Sequence, residues 1–247
     1  MVRLVTWNCS QAFRRKKTQL LEAFDPDILV IQECEYPGEK GEWHEFTDWV
    51  WSGDDSSRGI GVFSRNGIQL TTGPDYDNTN ATSIAAETDA ALDVLGVWTK
   101  PDNENKGHRY ISQVHTIIES YQDWLGESTI ICGDFNWNAS FSQSTFKPPL
   151  RHGFTDTVQL LKEYGYRSAY HAVMDCEFGD ERESTYFARN RSWSGVNEET
   201  ESLYHTNYVF VPERLVDSVT DVELGEKETW IYGWGGPSDH VPLGVEI

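Results

Sequence analysis

The pattern of apolar and polar positions predicts mostly short strands. Many apolar runs are rich in β-branched and aromatic side chains and end at polar or glycine-containing segments, as strands do. We expect strands at residues 3–8, 27–34, 43–51, 59–64, 90–99, 128–135, 184–188, 204–211, 219–224 and 241–247. Apolar residues at helical spacing predict helices at residues 14–24, 110–125 and 154–166.

Many strands with few helices between them favour a layered α/β fold with mixed sheets. A uniform succession of parallel strands and crossover helices would need more helices than the pattern predicts. The sequence shows no internal repeat, no low-complexity tract and no composition shift typical of a linker. We therefore expect one domain over residues 1–247.

Composition excludes several classes of protein. Of the 247 residues, 38% are hydrophobic and 13% are aromatic, which argues against an intrinsically disordered chain. The longest apolar runs, such as residues 28–31 and 129–132, are far shorter than the ~18–20 residues of a membrane-spanning helix. We therefore expect no membrane span, and since the chain turns polar within its first eight residues, no signal peptide. Four cysteines without a disulfide framework point to a reducing compartment, so we expect a cytoplasmic location.

The four cysteines do not form a disulfide framework in a chain of this length. Cys9, Cys34 and Cys132 lie in or beside apolar runs, so we expect buried free thiols. The sequence has no CxxC or HExxH motif, and on this ground a zinc site is not expected.

The net charge is −20, with 40 acidic residues against 20 Lys and Arg. Nucleic-acid affinity depends heavily on basic side chains, so this balance argues against a protein that coats nucleic acid or binds it through a basic arm. An enzyme with a local basic cleft and a bound divalent cation remains compatible with the charge. The basic run at residues 14–17 (RRKK) either contacts a phosphate backbone or forms the solvated first turn of a helix.

Polar side chains lie where several apolar strands begin or end. Active sites of open α/β sheets lie at strand ends, so these residues are candidates for a common site. The candidates are Asn8, Glu33, Asp134, Asn136, Asp239 and His240. A glutamate is a suitable Mg²⁺ or Mn²⁺ ligand, and asparagine amides can donate to phosphate oxygens. A His–carboxylate pair and a water-holding aspartate complete the parts needed for metal-assisted phosphoester hydrolysis.

Segments of the chain resemble the ordered signature blocks of the endonuclease/exonuclease/phosphatase superfamily, the deoxyribonuclease I-like group that includes exonuclease III-like proteins. The segments are LVTWN, VIQE, GIGVFSR, IICGDFNWN, YHTNYVFVP and SDHVPLGVEI, of which GDFN and SDH are the most specific. The resemblance implies a four-layered α/β sandwich, with two mixed β-sheets packed face to face and helices outside. It also implies a Mg²⁺- or Mn²⁺-dependent phosphoesterase site at one edge of the sandwich.

The resemblance further implies a metal and phosphate region. Glu33 matches the family's metal-binding glutamate, Asn8 the asparagine that supports metal and phosphate, and Asp239 an aspartate near the metal. The family often has a histidine or tyrosine in the central strand that contacts the phosphate, where this chain has the segment VWTKP. Lys100 of this segment either makes that phosphate contact through its positive charge or is a solvated loop residue.

The same resemblance assigns the catalytic residues. Asp134 matches the aspartate that positions or activates water, Asn136 the asparagine that contacts the phosphate, and His240 the catalytic histidine. The family usually has an aspartate as the partner of the histidine, where this chain has Asn207. The Asn207 amide can orient the ring but supplies no charge that would stabilise a protonated ring. His205 is a second candidate partner, or a strand-end residue without that role.

These observations predict a divalent-metal-dependent phosphodiester hydrolase, foremost a nuclease that acts on DNA or RNA. The alternative is the same chemistry on a small phosphoester or a phospholipid headgroup, because the site residues do not separate these substrates. A non-catalytic binding module on the same fold is disfavoured by the complete set of site residues. Arg58, Tyr186 and Trp193 are further candidates for substrate contact, each with a structural alternative.

Overall fold

A computed structural model describes residues 1–76, 82–141, 146–188, 202–233 and 237–247 of the chain. Its strands are β1 (Arg3–Asn8), β2 (Ile28–Cys34), β3 (Asp48–Asp55), β4 (Arg58–Ser64), β5 (Leu70–Thr72), β6 (Ser83–Thr88), β7 (Asp93–Trp98), β8 (Thr129–Asp134), β9 (Tyr166–Ser168), β10 (Tyr186–Ala188), β11 (Ser202–Tyr204), β12 (Asn207–Pro212), β13 (Asp221–Leu224) and β14 (Leu243–Glu246). Its α-helices are α1 (Lys17–Phe24), α2 (Ile111–Ser120), α3 (Phe154–Glu163), α4 (Ala169–Met174) and α5 (Lys227–Trp230). Within these ranges no helix combines the length and the apolar character that a membrane crossing requires.

The strands form two six-stranded mixed sheets and a separate ribbon of β10 and β11. In spatial order, the first sheet is β13-β14-β1-β2-β4-β3 and the second is β5-β6-β7-β8-β12-β9. A parallel pair lies at the centre of each sheet, β1–β2 in the first and β7–β8 in the second. Because parallel neighbours need a crossover connection, α1 joins the first pair and α2 joins the second.

The two sheets pack face to face, and helices cover their outer faces. Since strand side chains alternate between faces, each sheet supplies one apolar set to the core between the sheets and another to a helical layer. Leu4 and Ile130 lie in the core between the sheets. Val5 packs on the α1 side of the first sheet, and Ile131 packs against α2 and α3 outside the second. The four-layered sandwich implied by the resemblance is thereby confirmed.

Some predicted elements differ from the observed ones. The predicted helix at 154–166 ends at Glu163, because Gly165 adopts φ 78° and Tyr166 opens β9. The predicted strand at 43–51 starts at Asp48 and continues to Asp55. The hydrophobic pattern missed β5, β6, β9, α4, α5 and most of β11. In β6, the sequence SIAAET has no strong alternation, and its pairing with β7 makes it a strand.

The cysteines expected to be buried free thiols have that state. Cys9, Cys34 and Cys132 are buried and form no disulfide. Each lies in an apolar core, Cys132 between the sheets and the other two on the outer face of the first sheet.

Candidate active site

Strand ends bring polar side chains to one edge of the interface between the sheets. By alternation, Asn8 lies on the same face of β1 as Leu4, and Asp134 lies on the same face of β8 as Ile130. Asn207 opens β12 and is the register partner of Asp134. The apolar core between the sheets therefore continues into a polar cluster at this edge.

Glu33 reaches the same cluster through a β-bulge. Regular alternation along β2 would turn its side chain toward the helix-covered outer face, where Ile31 lies. The pairing with β4 shifts register between Gln32 and Cys34, and Glu33 has a left-handed backbone with φ 59°. Because a bulge re-aims a side chain, Glu33 Oε1 comes within 3.2 Å of the Asn8 amide nitrogen, which donates to it.

The glycine of the GDFN segment allows two strands to approach closely. Gly133 has φ 143°, and a Cβ atom there would lie 1.9 Å from the carbonyl oxygen of Val97. No side chain fits this contact, so glycine is required for β8 to deliver Asp134 to the cluster.

Asp134 is fully buried and held by two asparagines. Its Oδ2 accepts hydrogen bonds from Asn8 Nδ2 and from Asn136 Nδ2, each at 2.9 Å. Its Oδ1 accepts from the backbone N–H of Asn136 at 2.9 Å. Asn136 Nδ2 also donates to the carbonyl of Thr99 at 2.9 Å, which fixes the amide. The two asparagines therefore fix the orientation of the carboxylate.

Burial raises the pKa of the Asp134 carboxyl above its ordinary value, and the charge of Glu33 acts in the same direction. The neighbouring His240 ring and the hydrogen bonds from Asn8 and Asn136 lower this pKa. The result is a dry carboxylate with increased proton affinity and a fixed orientation. These are the properties of a general base that handles one water molecule.

His240 is tied to the end of β1 by backbone contacts. Its N–H donates to Ser238 Oγ at 3.1 Å, and that hydroxyl donates to the Asn8 carbonyl at 2.7 Å. Trp7 Nε1 donates to the His240 carbonyl at 2.9 Å. The His240 Nε2 atom lies 3.8 Å from Asp134 Oδ2. Histidine and aspartate thus face one another across the two sheets.

Asn207 is the partner of the His240 ring. Its Oδ1 lies 2.8 Å from His240 Nδ1, so the ring N–H donates to the amide oxygen and Nε2 faces Asp134. The Asn207 Nδ2 atom is buried with no hydrogen-bond partner in the described part of the chain. A buried donor without a partner costs about 1–3 kcal/mol. The aspartate typical of the family would lack this donor.

His205, the other candidate partner, lies away from the His240 ring contact. It is buried against the rings of Tyr170 and Tyr208, and its Nδ1 lies 3.2 Å from the carbonyl oxygen of Glu183. Burial lowers the pKa of His205 to about 4. His205 therefore belongs to the packed protein interior, and the contact with His240 is made by Asn207.

The depressed pKa of His205 predicts a specific loss of stability in acid. Between its ordinary pKa of 6.5 and its folded pKa of about 4, the unfolded chain binds a proton that the folded chain does not. The free energy of unfolding should therefore fall by up to about 3 kcal/mol as pH decreases through this range. Urea unfolding of His205→Leu should lack this component. The control is His44→Leu at an exposed loop position, and equal pH dependence in all three proteins would contradict the prediction.

Arg58 and Lys100 form the basic side of the cluster. Arg58 Nη2 lies 2.6 Å from Glu33 Oε1, and the guanidinium carbon lies 5.1 Å from the ring centre of Trp98. Lys100 Nζ lies 4.8 Å from the same ring and pairs with Asp54 at 3.1 Å. Trp98 ends β7 beside the end of β8. The positively charged side chains of Arg58 and Lys100 thus lie side by side next to the carboxylates of the polar cluster.

The basic run at residues 14–17 is mostly engaged within the protein. Arg14 pairs with the buried Glu35 at 2.7 Å. Lys16 donates to the carbonyls of two loop residues after β1 and to that of Pro237. Lys17 is buried and pairs with Glu45. The run therefore mainly holds loops together, which neither sequence-based interpretation anticipated.

Tyr186 and Asp239 border His240. The Tyr186 ring centre lies 4.8 Å from that of His240, and the two residues form an isolated β-bridge. Burial, with the charges of Asp239 and Asp134 nearby, raises the pKa of Tyr186. Asp239 is half-buried and directly precedes His240 in the chain. Trp193, the third candidate for substrate contact, lies outside the described residues.

The donor set fits a hard divalent cation, which prefers oxygen ligands. Glu33 already attracts one cation, the Arg58 guanidinium. Asn8 uses Oδ1 to accept from the Ser10 N–H at 3.1 Å, so in this arrangement it orients Glu33, and its direct metal ligation stays a prediction. Within the described ranges, no three carboxylates of this polar cluster bring their oxygens within 4.8 Å of one another. Water or substrate oxygens would therefore complete the coordination, as is usual for Mg²⁺.

Sequence reasoning missed two supporting residues. Ser238 belongs to the SDH segment, and its hydroxyl links the histidine loop to β1. The side chains of Arg58 and Lys100 both lie over the ring of Trp98. The signal for Trp98 was present, because alternation along β7 places it on the inner face with Val94.

Several known proteins are similar to this chain in sequence or in fold. A sequence profile described as Endonuclease/Exonuclease/phosphatase family matches residues 5–240. The fold is similar to an AP endonuclease from Archaeoglobus fulgidus, with a TM-score of 0.74, 18% identity, and coverage of 99% of this chain and 98% of that one. It is also similar to the 3′ phosphatase NExo from Neisseria bound to a product DNA hairpin, with a TM-score of 0.70, 19% identity, and coverage of 100% and 99%.

A third similar structure is the AP endonuclease LMAP from Leishmania major, with a TM-score of 0.68, 15% identity, and coverage of 99% of this chain and 86% of that one. No curated protein sequence matches the chain. At these identities the structural similarities establish the fold.

Proposed function

Because the chain belongs to the endonuclease/exonuclease/phosphatase family, we propose that it is a divalent-metal-dependent phosphodiester hydrolase that cleaves DNA. One observation carries the proposal. The buried Asp134 carboxylate is oriented by Asn8 and Asn136 and faces His240 Nε2 at 3.8 Å. Similar folds include an AP endonuclease and a 3′ phosphatase bound to a DNA hairpin, which favours DNA over a phospholipid headgroup.

The proposed reaction divides between Asp134 and His240. Asp134 holds the attacking water and takes its proton while the water oxygen forms a bond to phosphorus and the ester P–O bond breaks. The leaving alkoxide takes a proton from solvent water and departs as the alcohol. The raised pKa of Asp134 makes it a better base than a solvent-exposed aspartate. His240, held by Asn207, offers Nε2 to the phosphoryl oxygens. As an imidazolium, it would stabilise the negative charge that develops there.

Glu33 and Asp239 would hold the cation, with Asn8 orienting Glu33. A bound Mg²⁺ or Mn²⁺ supplies charge neutralisation at the phosphoryl oxygens. Arg58 and the adjacent Lys100 provide the phosphate-binding side, whereas both amide hydrogens of Asn136 are used on Asp134 and the Thr99 carbonyl. These two basic groups make the local charge at the cluster less negative than the net charge of −20 suggests.

A substrate panel tests this function. The panel contains plasmid DNA, single-stranded DNA, abasic-site duplex, 3′-phosphorylated duplex, RNA and a small phosphodiester, each with Mg²⁺, with Mn²⁺ and with EDTA. We expect metal-dependent cleavage of at least one DNA substrate with kcat/KM above that for the small phosphodiester. Preference for the small phosphodiester would favour the alternative substrate class. Absence of hydrolysis of every substrate with either metal would contradict the function.

Arg58 is predicted to compete with the metal for Glu33 and to bind the substrate phosphate. Arg58→Gln should bind Mg²⁺ about three- to tenfold more tightly, because a positive charge 2.6 Å from Glu33 is removed. The same variant should raise KM by a similar factor. Lys100→Gln is the matched control, since Lys100 pairs with Asp54 instead of Glu33. It should raise KM and leave Mg²⁺ affinity unchanged. Calorimetry and steady-state kinetics separate the two effects, and unchanged Mg²⁺ affinity in Arg58→Gln would refute the competition.

A further inference from the structure

A second cluster of metal-ligating side chains lies on the outer helical layer, outside the cluster around Asp134. It consists of His115 and Glu119 from α2 and His152 from the loop before α3. Their ligand atoms all lie within 4.8 Å of one another. His115 and Glu119 are four residues apart, so one helix face presents both, with Nε2 to Oε1 at 3.8 Å.

The two histidine rings stack face to face. Their centres are 3.8 Å apart and their planes differ by 3°. Two imidazolium ions would repel one another at this distance, so the stack requires at least one neutral ring. The neutral ring is the form that binds a metal.

The contacts of Thr157 leave the correct nitrogen of His115 for a ligand. The Thr157 hydroxyl donates to the Gly153 carbonyl at 2.8 Å, so its oxygen can accept the Nδ1–H of His115, 3.5 Å away. His115 then has an unprotonated Nε2 on the side of Glu119. A polar partner for the second ring nitrogen is the usual support of a metal-bound histidine.

From this geometry we propose that His115, Glu119 and His152 form a transition-metal site that binds Zn²⁺. Two imidazoles and one carboxylate are an established type of zinc ligand set, with water in the fourth position. Ligand atoms on one tetrahedral zinc ion are about 3.4 Å apart, so modest side-chain rotations close the cluster. The ion connects α2 to the segment that begins α3, and its binding stabilises the outer helical layer.

The motif search did not indicate this site, because His152 is distant from His115 and Glu119 in sequence and no HExxH pair is present. The packing of α3 against α2 brings the third ligand into place. The site is independent of the proposed hydrolytic function.

Zinc binding to the purified full chain tests the proposal. The Glu33→Gln background is used to weaken any binding at the catalytic cluster, and Zn²⁺ alone is the probe, followed by competition with a chromophoric chelator. We expect one Zn²⁺ per chain at micromolar or lower concentration and a rise in melting temperature. Co²⁺ should give the visible absorption bands of a tetrahedral site.

Removal of one of the three proposed ligands should weaken Zn²⁺ binding and reduce the rise in melting temperature. His152→Ala, at a half-buried position, should weaken Zn²⁺ binding at least about 100-fold, and Glu119→Gln at the exposed position about tenfold. His44→Ala, at an exposed histidine elsewhere, is the matched control and should bind like the parent. The proposal would be overturned if both His152→Ala and Glu119→Gln kept the Zn²⁺ affinity and the melting-temperature shift of the parent. Circular dichroism confirms that each variant is folded.

Discussion

Asp134→Asn is expected to lower kcat on DNA by about 10³-fold or more, because a general base and the charge beside His240 are lost together. The substitution keeps the size of the side chain. Both oxygens of Asp134 accept hydrogen bonds from N–H donors, so the amide nitrogen of the variant faces at least one donor, and the free energy of unfolding should fall by about 1–3 kcal/mol. Steady-state kinetics and urea unfolding of the same preparation measure both quantities.

His240→Gln should lower kcat by about 10²- to 10³-fold, and the double variant should lose little more than Asp134→Asn alone. The reason is that the two side chains face one another and, in the proposed reaction, act on one phosphoryl group. Asp93→Asn is the matched control, because Asp93 starts β7 at the end of the sheet opposite Asp134. If the kcat losses of the two single variants multiplied in the double variant, this result would count against a shared site.

Glu33→Gln is the second substitution with a large expected effect. It should weaken Mg²⁺ binding at least about 30-fold and lower kcat/KM by about 10²- to 10³-fold, because the side chain keeps its shape but loses the anionic ligand. Calorimetry with Mg²⁺ measures binding without substrate. Mg²⁺ is the suitable probe because it prefers oxygen ligands and so binds weakly to the proposed zinc site of His115, Glu119 and His152.

Glu39→Gln, in the exposed loop after β2, is the control for Glu33→Gln and should behave as the parent. Higher Mg²⁺ concentrations should partly restore the activity of Glu33→Gln, since the remaining carboxylate of Asp239 still attracts the cation. Mg²⁺ titration identical to that of the parent would show that Glu33 is not the principal ligand.

Much of the fold was accessible from local patterns. An apolar run rich in β-branched residues is a property of neighbouring positions, so sequence alone indicated β1, β2, β4 and β8 with small errors at their ends. Alternation along a strand puts Asn8 and Asp134 on the faces that carry Leu4 and Ile130. Elements with a weak hydrophobic pattern, such as β6 and α4, were not predicted, because tertiary pairing and packing decide whether these residues form a strand or a helix.

The region around Glu33 shows where sequence patterns fail. Strict alternation turns Glu33 away from Asn8, and only the bulge formed against β4 reverses its direction. The basic run at residues 14–17 looked available to a phosphate backbone, yet Arg14 and Lys17 are paired with Glu35 and Glu45. Bulges and ion pairs depend on partners that are distant in the chain, so local sequence does not encode them.

The sequence by itself indicated the type of chemistry, the more strongly apolar strands and the polar residues that end them. Those properties follow from residue types and from the period-two geometry of strands. Only the tertiary structure decided that Asn207 contacts His240 and that His205 does not, and that Arg58 lies on Glu33. It also decided that His152 joins His115 and Glu119. In each case the interaction joins distant segments, and its energy depends on distance and burial that exist only after the sheets and helices have packed.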